Sequence, residues 1–260
     1  MTSGTVEITR DGAVAVLTVS RPEKLNALDL DMLAALGEAA DRIEADRQIR
    51  AAVLTGAGRG FSAGGDIKAW AGMSPPEFGH GWVRHGHRVF ERLATLRMPL
   101  VAALNGHALG GGLELAGIAD IRIAERQIRI GLPETGLGMV PGWSGTQRLV
   151  RRFGAQTVRR MALGGEIFSA DTALGLGLVD QVVETGTALE AARTYAQTIA
   201  ARGPAAIEVA KLMIAVASGE DRGEAVEALG SILVAGTGDL KEGVAAFTQK
   251  RPAQFKGDWS

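Results

Sequence analysis

The sequence of 260 residues contains no cysteine. This absence excludes disulfide bonds, a thiolate nucleophile and a zinc site built from thiolates. Aromatic residues make up only 5% of the chain, and the formal net charge is −1, with acidic and basic residues interspersed. The composition therefore provides no basic surface of the kind that binds nucleic acid or an anionic membrane.

Long apolar segments are also lacking. The longest run without Lys, Arg, Asp or Glu, Met98–Leu113, is too short and too rich in glycine to span a bilayer. The first twelve residues contain an acidic residue and no apolar core, unlike a secretory signal peptide. These features predict a cytoplasmic protein with neither a membrane nor a nucleic acid as its partner.

Glycine, by contrast, is abundant, with 36 residues spread along the chain without a period. This distribution predicts many tight turns and argues against a fibrous or repeat protein. Hydrophobic residues make up 46% of the chain, which is enough for a large core. The expected protein is therefore globular and rich in turns.

The first 190 residues alternate between strand and helix patterns. Val6–Thr9 and Ala13–Ser20 flank Asp11-Gly12, which predicts a β-hairpin. Asp29–Ala45 carries apolar residues at helical spacing, with Asp29 as the expected N-cap. Units of two strands and a helix predict an α/β core over residues 1–190 with right-handed connections.

The remaining residues, 191–260, are predicted to form a separate helical region. A further helix is expected inside the core, at Gly142–Phe153. Four amphipathic patterns can be drawn toward the C-terminus, near 187–202, 204–217, 221–235 and 239–250.

The stretch Pro99–Ala119 carries the strongest functional signal. Its apolar strand is followed by three consecutive glycines, Gly110 to Gly112, and then by the first turn of a buried helix. Glycines before a helix let backbone N–H groups approach a ligand oxygen, and the helix dipole favours negative charge there. Glu114 lies two residues later in apolar surroundings. The alternative interpretation is a tight turn beside a core glutamate whose hydrogen bonds are satisfied.

A second glycine segment, Phe61–Asp66, also follows a buried strand and precedes a helix. Two such helix N-termini could aim two N–H donors at one oxygen, which is the geometry of an oxyanion hole. The alternative is a loop that only connects strand and helix.

Glu134, in the sequence LPETG, is the second carboxylate of interest. Two carboxylates facing one pocket titrate as a pair, so that one holds a proton while the other is ionised. Such a pair can orient a water molecule, deprotonate it and return a proton to carbon. The alternative is a surface glutamate in the first turn of a helix.

Several other activities lack their motifs. Gly142–Thr146 resembles a nucleophile elbow but lacks the last glycine of GxSxG, and the dipeptide Gly-Lys of a P-loop is absent. No GxGxxG follows a strand. His80, His85 and His87 cluster in sequence, but their spacing is poor for metal ligands on one helix face, so we interpret them as surface residues and expect no metal site.

Five segments, in order, resemble the crotonase superfamily and, within it, the enoyl-CoA hydratases. Together they span nearly the whole chain. The segments are RPEKLNAL (Arg21–Leu28), VLTGAGRGFSAGGDIK (Val53–Lys68), PLVAALNGHALGGGLELA (Pro99–Ala116), IGLPETGLGMVPGWSGTQRL (Ile130–Leu149) and EGVAAFTQKR (Glu242–Arg251).

The resemblance implies a crotonase-type spiral of ββα units followed by C-terminal helices that form trimers, often stacked as hexamers. It implies that the Gly65 and Gly111 N–H groups form the oxyanion hole for a thioester carbonyl. It further implies that Glu114 and Glu134 hold the attacking water. Coenzyme A is then part of the substrate, and no other cofactor is expected.

The same resemblance implies which residues surround the acyl-CoA. They are Lys24, Ala27, Ser62, Ala63, Gly64, Asp66, Ile67, Trp70, Gly110 and Gly142. The activity it implies is the reversible addition of water to trans-2-enoyl-CoA, which gives a 3-hydroxyacyl-CoA. The alternatives are an enoyl-CoA isomerase, another crotonase reaction on acyl-CoA, or a binding protein without catalysis.

Overall fold

The computed structural model describes residues 4–220 and 223–257, so the predicted helix start at 221 lies outside the described residues. The chain divides into two compact units, Met1–Glu208 and Val209–Ser260. The division falls later than the predicted boundary at 190, which lies inside a helix of the first unit. Among the described residues, no helix has both the length and the apolar character needed to cross a bilayer.

The strands form two sheets in the first unit. The larger sheet has the order β1-β2-β3-β4-β6-β9, in which only the β1–β2 hairpin is antiparallel, and the smaller has the order β5-β7-β8. The strands are β1 (Thr5–Asp11), β2 (Val14–Ser20), β3 (Ala51–Gly56), β4 (Leu100–Leu104), β5 (Ala108–Leu109), β6 (Ile121–Glu125), β7 (Arg129–Gly131), β8 (Ile167–Ser169) and β9 (Gln181–Val183).

The first predicted helix forms as expected. Asp29 caps the first helix by accepting a hydrogen bond from the Met32 N–H. The helices are α1 (Leu30–Ala45), α2 (Ile67–Trp70), α3 (Arg84–Ala94), α4 (Gly111–Ala116), α5 (Arg148–Phe153), α6 (Ala155–Ala162), α7 (Ala170–Gly175), α8 (Ala188–Ala200), α9 (Pro204–Ala217), α10 (Glu224–Ala235) and α11 (Gly238–Gln249). The predicted α/β fold with C-terminal helices is confirmed.

The core has two layers because side chains of a strand alternate between the faces of the sheet. Val14, Val53 and Val101 point to one face, where they belong to a cluster with the alanines of α8. Those alanines recur every four residues and so lie on one side of the helix, where they let it approach the sheet closely. This contact explains why the first unit extends beyond residue 190. The alanines are Ala188, Ala192, Ala196 and Ala200.

The opposite face of the sheet carries the larger cluster. Leu17, Leu54 and Leu104 of neighbouring strands pack there with the buried sides of α1 and α3. The same cluster continues into α4 and the Trp143 region. The segments that carry Phe61 and Trp143 therefore pack into this core cluster.

One predicted helix is much shorter than expected. The sequence pattern over Gly142–Phe153 predicts a helix throughout, but α5 begins only at Arg148. Residues 142–147 form a loop in which Ser144 has a φ of +82°, which is incompatible with a right-handed helix. A π-helical turn, Glu77–Val83, precedes α3 where the sequence pattern is irregular.

The second unit exposes many large apolar side chains. In α11, the Phe247 side chain is 87% exposed, and Val244 is also exposed. Three consecutive exposed residues of α10, Ile232 to Val234, add to this apolar surface. Apolar area of this extent on a helical unit is typical of a surface covered by another chain.

The close contact between Gly112 and Ser62 gives a test of the fold. A Cβ at Gly112 would lie 2.0 Å from the Ser62 carbonyl oxygen, so we expect Gly112→Ala to destabilise the protein by about 1–3 kcal/mol or more. Gly72→Ala is the matched control, because a Cβ at Gly72 meets no atom within 4 Å. Urea unfolding of both variants provides the measurement, and equal stabilities would contradict the contact.

Candidate active site

The two glycine segments predicted from the sequence lie against each other. A Cβ at Gly64 would lie 2.8 Å from the Gly111 nitrogen, and Gly64 has a φ of +87°. Gly110, with a φ of +55°, ends β5 and turns the chain into α4. Only glycine combines these backbone angles with such close approach. The loop after β3 and the first turn of α4 therefore meet backbone to backbone.

The N–H groups of Gly65 and Gly111 are available at this junction. Gly111 is the first residue of α4, so its N–H has no acceptor within the helix. Among the described residues, neither N–H donates to a protein acceptor. Both glycines line the same pocket. The lining of the pocket therefore includes two backbone N–H groups that lack an acceptor in the described part of the chain.

Glu114 lies on α4 and is only 3% exposed. Its Oε1 accepts hydrogen bonds from the Trp143 N–H at 2.7 Å and the Gly145 N–H at 2.6 Å. The loop 142–147 thus supplies donors to a buried carboxylate that would otherwise be very costly to ionise. Glu114 also lines the pocket.

Glu134 begins a short 3-10 turn, Glu134–Leu137, that follows β7. Both of its carboxylate oxygens are buried, and neither has a hydrogen-bond partner among the described residues. One of them, Oε1, lies 3.0 Å from the position that a Cβ on Gly110 would occupy. The carboxylate of Glu134 therefore lies beside the glycine segment and faces a pocket that Glu114 also lines.

The two carboxylates have raised pKa values. Burial, followed by the charge of Glu134, raises the pKa of Glu114 from its ordinary 4.5 to about 7, although three backbone N–H groups oppose the shift. Burial also raises the pKa of Glu134. At neutral pH such a pair can hold a proton on one member and negative charge on the other. It can therefore accept one proton and donate another.

The pocket encloses about 130 Å³ and is mostly apolar. Trp82 and Trp143 form its aromatic wall, with ring centroids 5.3 Å apart. The two indoles lie next to the glycines: a Cβ on Gly65 would be 3.0 Å from Trp82, and one on Gly111 would be 2.8 Å from Trp143. Trp70 also lines the pocket. The carboxylates thus face a pocket whose walls are mostly apolar.

The structure divides the predicted substrate-binding residues into two groups. One group lines the pocket with the four predicted catalytic residues and consists of Ala63, Ile67, Trp70, Gly110 and Gly142. The second group does not line the pocket and consists of Lys24, Ala27, Ser62, Gly64 and Asp66.

Two of the residues that do not line the pocket, Asp66 and Ser62, form polar contacts with neighbouring segments. Asp66 is buried and pairs with Arg21 at 2.9 Å and with Lys24 at 2.7 Å. Burial acts to raise the pKa of Asp66, but Lys24, the Lys68 N–H and Arg21 together outweigh it, and the pKa is lowered. The Ser62 hydroxyl donates to the Asn26 carbonyl. These contacts fix the loop that carries Gly65.

Sequence reasoning missed the loop that holds Glu114. The donors are the Trp143 and Gly145 N–H groups, in a segment predicted as helix. Two glycines, Gly142 and Gly145, flank Trp143-Ser144 and follow Pro141, a composition that indicates a turn rather than a helix. Asn26 was also missed: it is fully buried, and its side-chain amide donates to the Gly60 carbonyl at 2.7 Å.

The clustered histidines are not arranged as ligands. Within the described part of the chain, no group of three or more His, Asp or Glu side chains could hold a metal ion. His87 instead contacts the Ser144 hydroxyl from α3. The site is therefore described by its carboxylates, its glycine N–H groups and its apolar walls.

A carboxylate pair and two backbone N–H groups without acceptors among the residues that the structure describes line one pocket, an arrangement suited to acid–base chemistry on substrates that develop negative charge on oxygen. The sequence matches the enoyl-CoA hydratase/isomerase family over residues 9–258. The chain belongs to this family, and the predicted membership of the crotonase superfamily is confirmed.

Relatives and solved structures agree with this assignment. The chain is 39% identical over 251 residues to a short-chain-enoyl-CoA hydratase of Clostridium acetobutylicum, covering 95% of each protein. It is 38% identical to an (E)-benzylidenesuccinyl-CoA hydratase of Thauera aromatica, over 94% of this chain and 96% of that one. The crystal structure of an enoyl-CoA hydratase from Bacillus anthracis superposes with a TM-score of 0.81 at 34% identity, over 98% of this chain and 100% of that chain. The predicted crotonase-type fold is thereby confirmed.

The raised pKa of Glu114 predicts how stability depends on pH. Because the folded state binds this proton more tightly than the unfolded state, the stabilising contribution is present below pH 4.5 and is lost as pH rises toward 7. Glu114→Gln removes the titrating group and keeps an oxygen for the loop N–H groups. Between pH 5 and pH 8, the unmodified protein should lose up to about 3 kcal/mol relative to the variant.

Urea unfolding at both pH values measures this difference. Glu77→Gln is a suitable control, because the pKa of Glu77 is lowered by its hydrogen bonds to Ser74 and its side chain is exposed. Identical pH dependence in the unmodified protein and Glu114→Gln would contradict a buried, proton-binding Glu114.

Proposed function

We propose that the protein is an enoyl-CoA hydratase, a lyase that adds water reversibly to trans-2-enoyl-CoA. The observation that carries the proposal is the pair Glu114 and Glu134 on one pocket, next to the Gly65 and Gly111 N–H groups. The names of the relatives support the same activity. The relatives are named for different acyl groups, so we propose an enoyl-CoA thioester as the substrate and assign no particular acyl group.

The thioester carbonyl oxygen accepts hydrogen bonds from the Gly65 and Gly111 N–H groups in this proposal. Addition of water to the conjugated double bond places enolate charge on that oxygen. Preorganised donors in a dry site stabilise such charge, and each is typically worth about 3–4 kcal/mol. The dipole of α4 acts in the same direction, because Gly111 is at its N-terminus.

Water is held between Glu114 and Glu134. As its oxygen bonds to C3, one ionised carboxylate takes a proton from the water, and the double-bond electrons move to form the enolate. The enolate then collapses as the protonated partner delivers its proton to C2. Atoms and charge balance without a metal ion or redox cofactor, since coenzyme A enters and leaves as part of the substrate.

The coenzyme A moiety lies, in this proposal, along the loop after β3. Pocket-lining residues such as Ala63 and Gly110 contact the thioester, and Ile67 and Trp70 contact the acyl-CoA near the pocket mouth. Lys24 lies beside them as a cation, already paired with Asp66. Ser62, Ala27, Gly64 and Asp66 shape this loop, and Gly142 borders the acyl group on the opposite wall.

Single Gln substitutions test the carboxylate pair. Gln preserves size but cannot exchange the proton, so Glu114→Gln and Glu134→Gln should each lower kcat for crotonyl-CoA hydration by about 10² to 10⁴. The double variant should lose much less than the product of the single losses, because the two groups act as one unit. Loss of the enoyl-thioester absorbance gives the rates.

The same variants separate hydration from double-bond isomerisation. An isomerase that uses one carboxylate would show one severe and one mild substitution. Glu166→Gln is the control, because Glu166 pairs with Arg160 at the surface, away from the pocket. Full hydratase activity in Glu134→Gln would refute the paired mechanism.

We also propose that the protein assembles as a homotrimer or a hexamer of two trimers. The exposed apolar side chains of α10 and α11, such as Ile232 and Phe247, support this proposal. Size-exclusion chromatography with light scattering should give the mass of three or six chains at micromolar concentration. Phe247→Asp should lower that mass, and a monomeric unmodified protein would overturn the proposal.

A further inference from the structure

The loop that holds Glu114 contains a residue in an unusual conformation. Ser144 has a φ of +82°, in the left-handed region that a non-glycine residue seldom adopts. It lies between the two residues whose N–H groups donate to Glu114 Oε1. Alternation of right- and left-handed residues turns successive N–H groups toward one anion, in the arrangement called a nest. The positive φ of Ser144 is therefore part of the geometry that binds the carboxylate.

Ser144 has a partner outside its loop. Its side chain is buried, and its Oγ lies 3.2 Å from Nδ1 of His87 on α3. The helix makes two further contacts with the same segment. Gly86 leaves room for the Trp143 indole, because a Cβ there would lie 2.2 Å from Nε1, and Glu91 forms an ion pair with Arg148. One side of α3 thus contacts the loop and the start of α5.

A nucleophilic role for Ser144 does not fit its position. Among the described residues, Gly142 and Trp143 line the pocket, whereas Ser144 and His87 do not. The hydroxyl therefore lies outside the lining of the pocket that Gly65 and Gly111 share.

We infer that the His87–Ser144 contact positions the Trp143 and Gly145 N–H groups on the Glu114 carboxylate. Ser144 and His87 are then positioning residues for the acid–base pair. The inference rests on the proposed function only for the catalytic role of Glu114. The physical claim is that the side-chain contact compensates for a backbone conformation that serine adopts poorly.

Two substitutions of Ser144 distinguish this role from others. Ser144→Ala removes the hydroxyl but keeps a side chain that disfavours positive φ. Ser144→Gly removes the hydroxyl and also the conformational penalty. If the hydroxyl holds the backbone, Ala should be impaired and Gly should be close to the unmodified protein. A nucleophile or proton donor would be lost equally in both, and a space-filling role would make Gly the worse of the two.

The expected change lies in kcat. Misplacing the carboxylate in Ser144→Ala should lower kcat for crotonyl-CoA hydration by about 10- to 100-fold, with a smaller effect on KM. His87→Ala should show a similar loss, but little loss when it is introduced into the Ser144→Gly background. His85→Ala, two residues earlier on the same helix, is the matched control and should retain full activity.

A spectroscopic measurement tests the inference independently of the reaction. Carbon NMR of glutamate carboxyls, with Glu114→Gln identifying the signal, gives the pKa of Glu114 in each variant. Loss of the N–H donors should raise that pKa in Ser144→Ala and His87→Ala but not in Ser144→Gly. The other charged groups near the site, Glu134 and the Glu91–Arg148 pair, are unchanged in all these variants.

Each result has a clear meaning. The inference is overturned if Ser144→Gly is as impaired as Ser144→Ala, or if neither changes kcat and the Glu114 pKa. Circular dichroism verifies folding. If Ser144→Ala does not fold, the effect of His87→Ala in the unmodified protein is compared with its effect in Ser144→Gly. If the unmodified protein does not hydrate enoyl-CoA, the proposed function fails, whereas the NMR titration still decides the role of His87 and Ser144.

Discussion

The backbone of Gly112 passes so close to Ser62 that one added carbon would lie 2.0 Å from the Ser62 carbonyl oxygen. This contact depends on the absence of side chains in both glycine segments. It brings the loop after β3 against the first turn of α4, and so places the Gly65 N–H near the Gly111 N–H. The large sheet holds the two segments in register, because β3 and β4 are adjacent parallel strands whose ends lead into this junction.

The same helix buries a charged group at its centre. Glu114 is one turn from the glycines, and its burial is tolerated because a loop from another part of the chain donates N–H groups to it. As a result, the pKa of the Glu114 carboxyl is raised from its ordinary 4.5 to about 7. The contacts that bring the two glycine segments together therefore also fix the position of Glu114, because Glu114 lies on the same helix, α4.

Much of this arrangement could be predicted from the sequence because it is local. Glycine runs before a helix, an aspartate N-cap at Asp29 and alternating apolar residues in β2 each have a direct structural meaning. The resemblance to the crotonase superfamily implies the roles of Gly65 and Gly111 and of the pair Glu114 and Glu134, and the structure brings all four residues to one pocket. Their catalytic roles stay predictions.

The remainder depends on contacts between distant segments. The apolar spacing of residues 142–153 fits a helix, but three-dimensional packing against α3 and Glu114 favours a loop with Ser144 at positive φ. In the same way, the partners of Asp66 come from a distant segment, since Arg21 and Lys24 both form ion pairs with its buried carboxylate. The packing of the alanine face of α8 on the sheet is another contact between segments far apart in sequence.

Hydration of crotonyl-CoA in water labelled with heavy oxygen tests the central claim most directly. Mass spectrometry of the product should show a 3-hydroxybutyryl-CoA that carries one heavy oxygen at C3, formed as the enoyl absorbance disappears. Loss of the conjugated double bond without oxygen uptake would indicate double-bond migration instead. That result, or no reaction at all, would contradict a water molecule activated between Glu114 and Glu134.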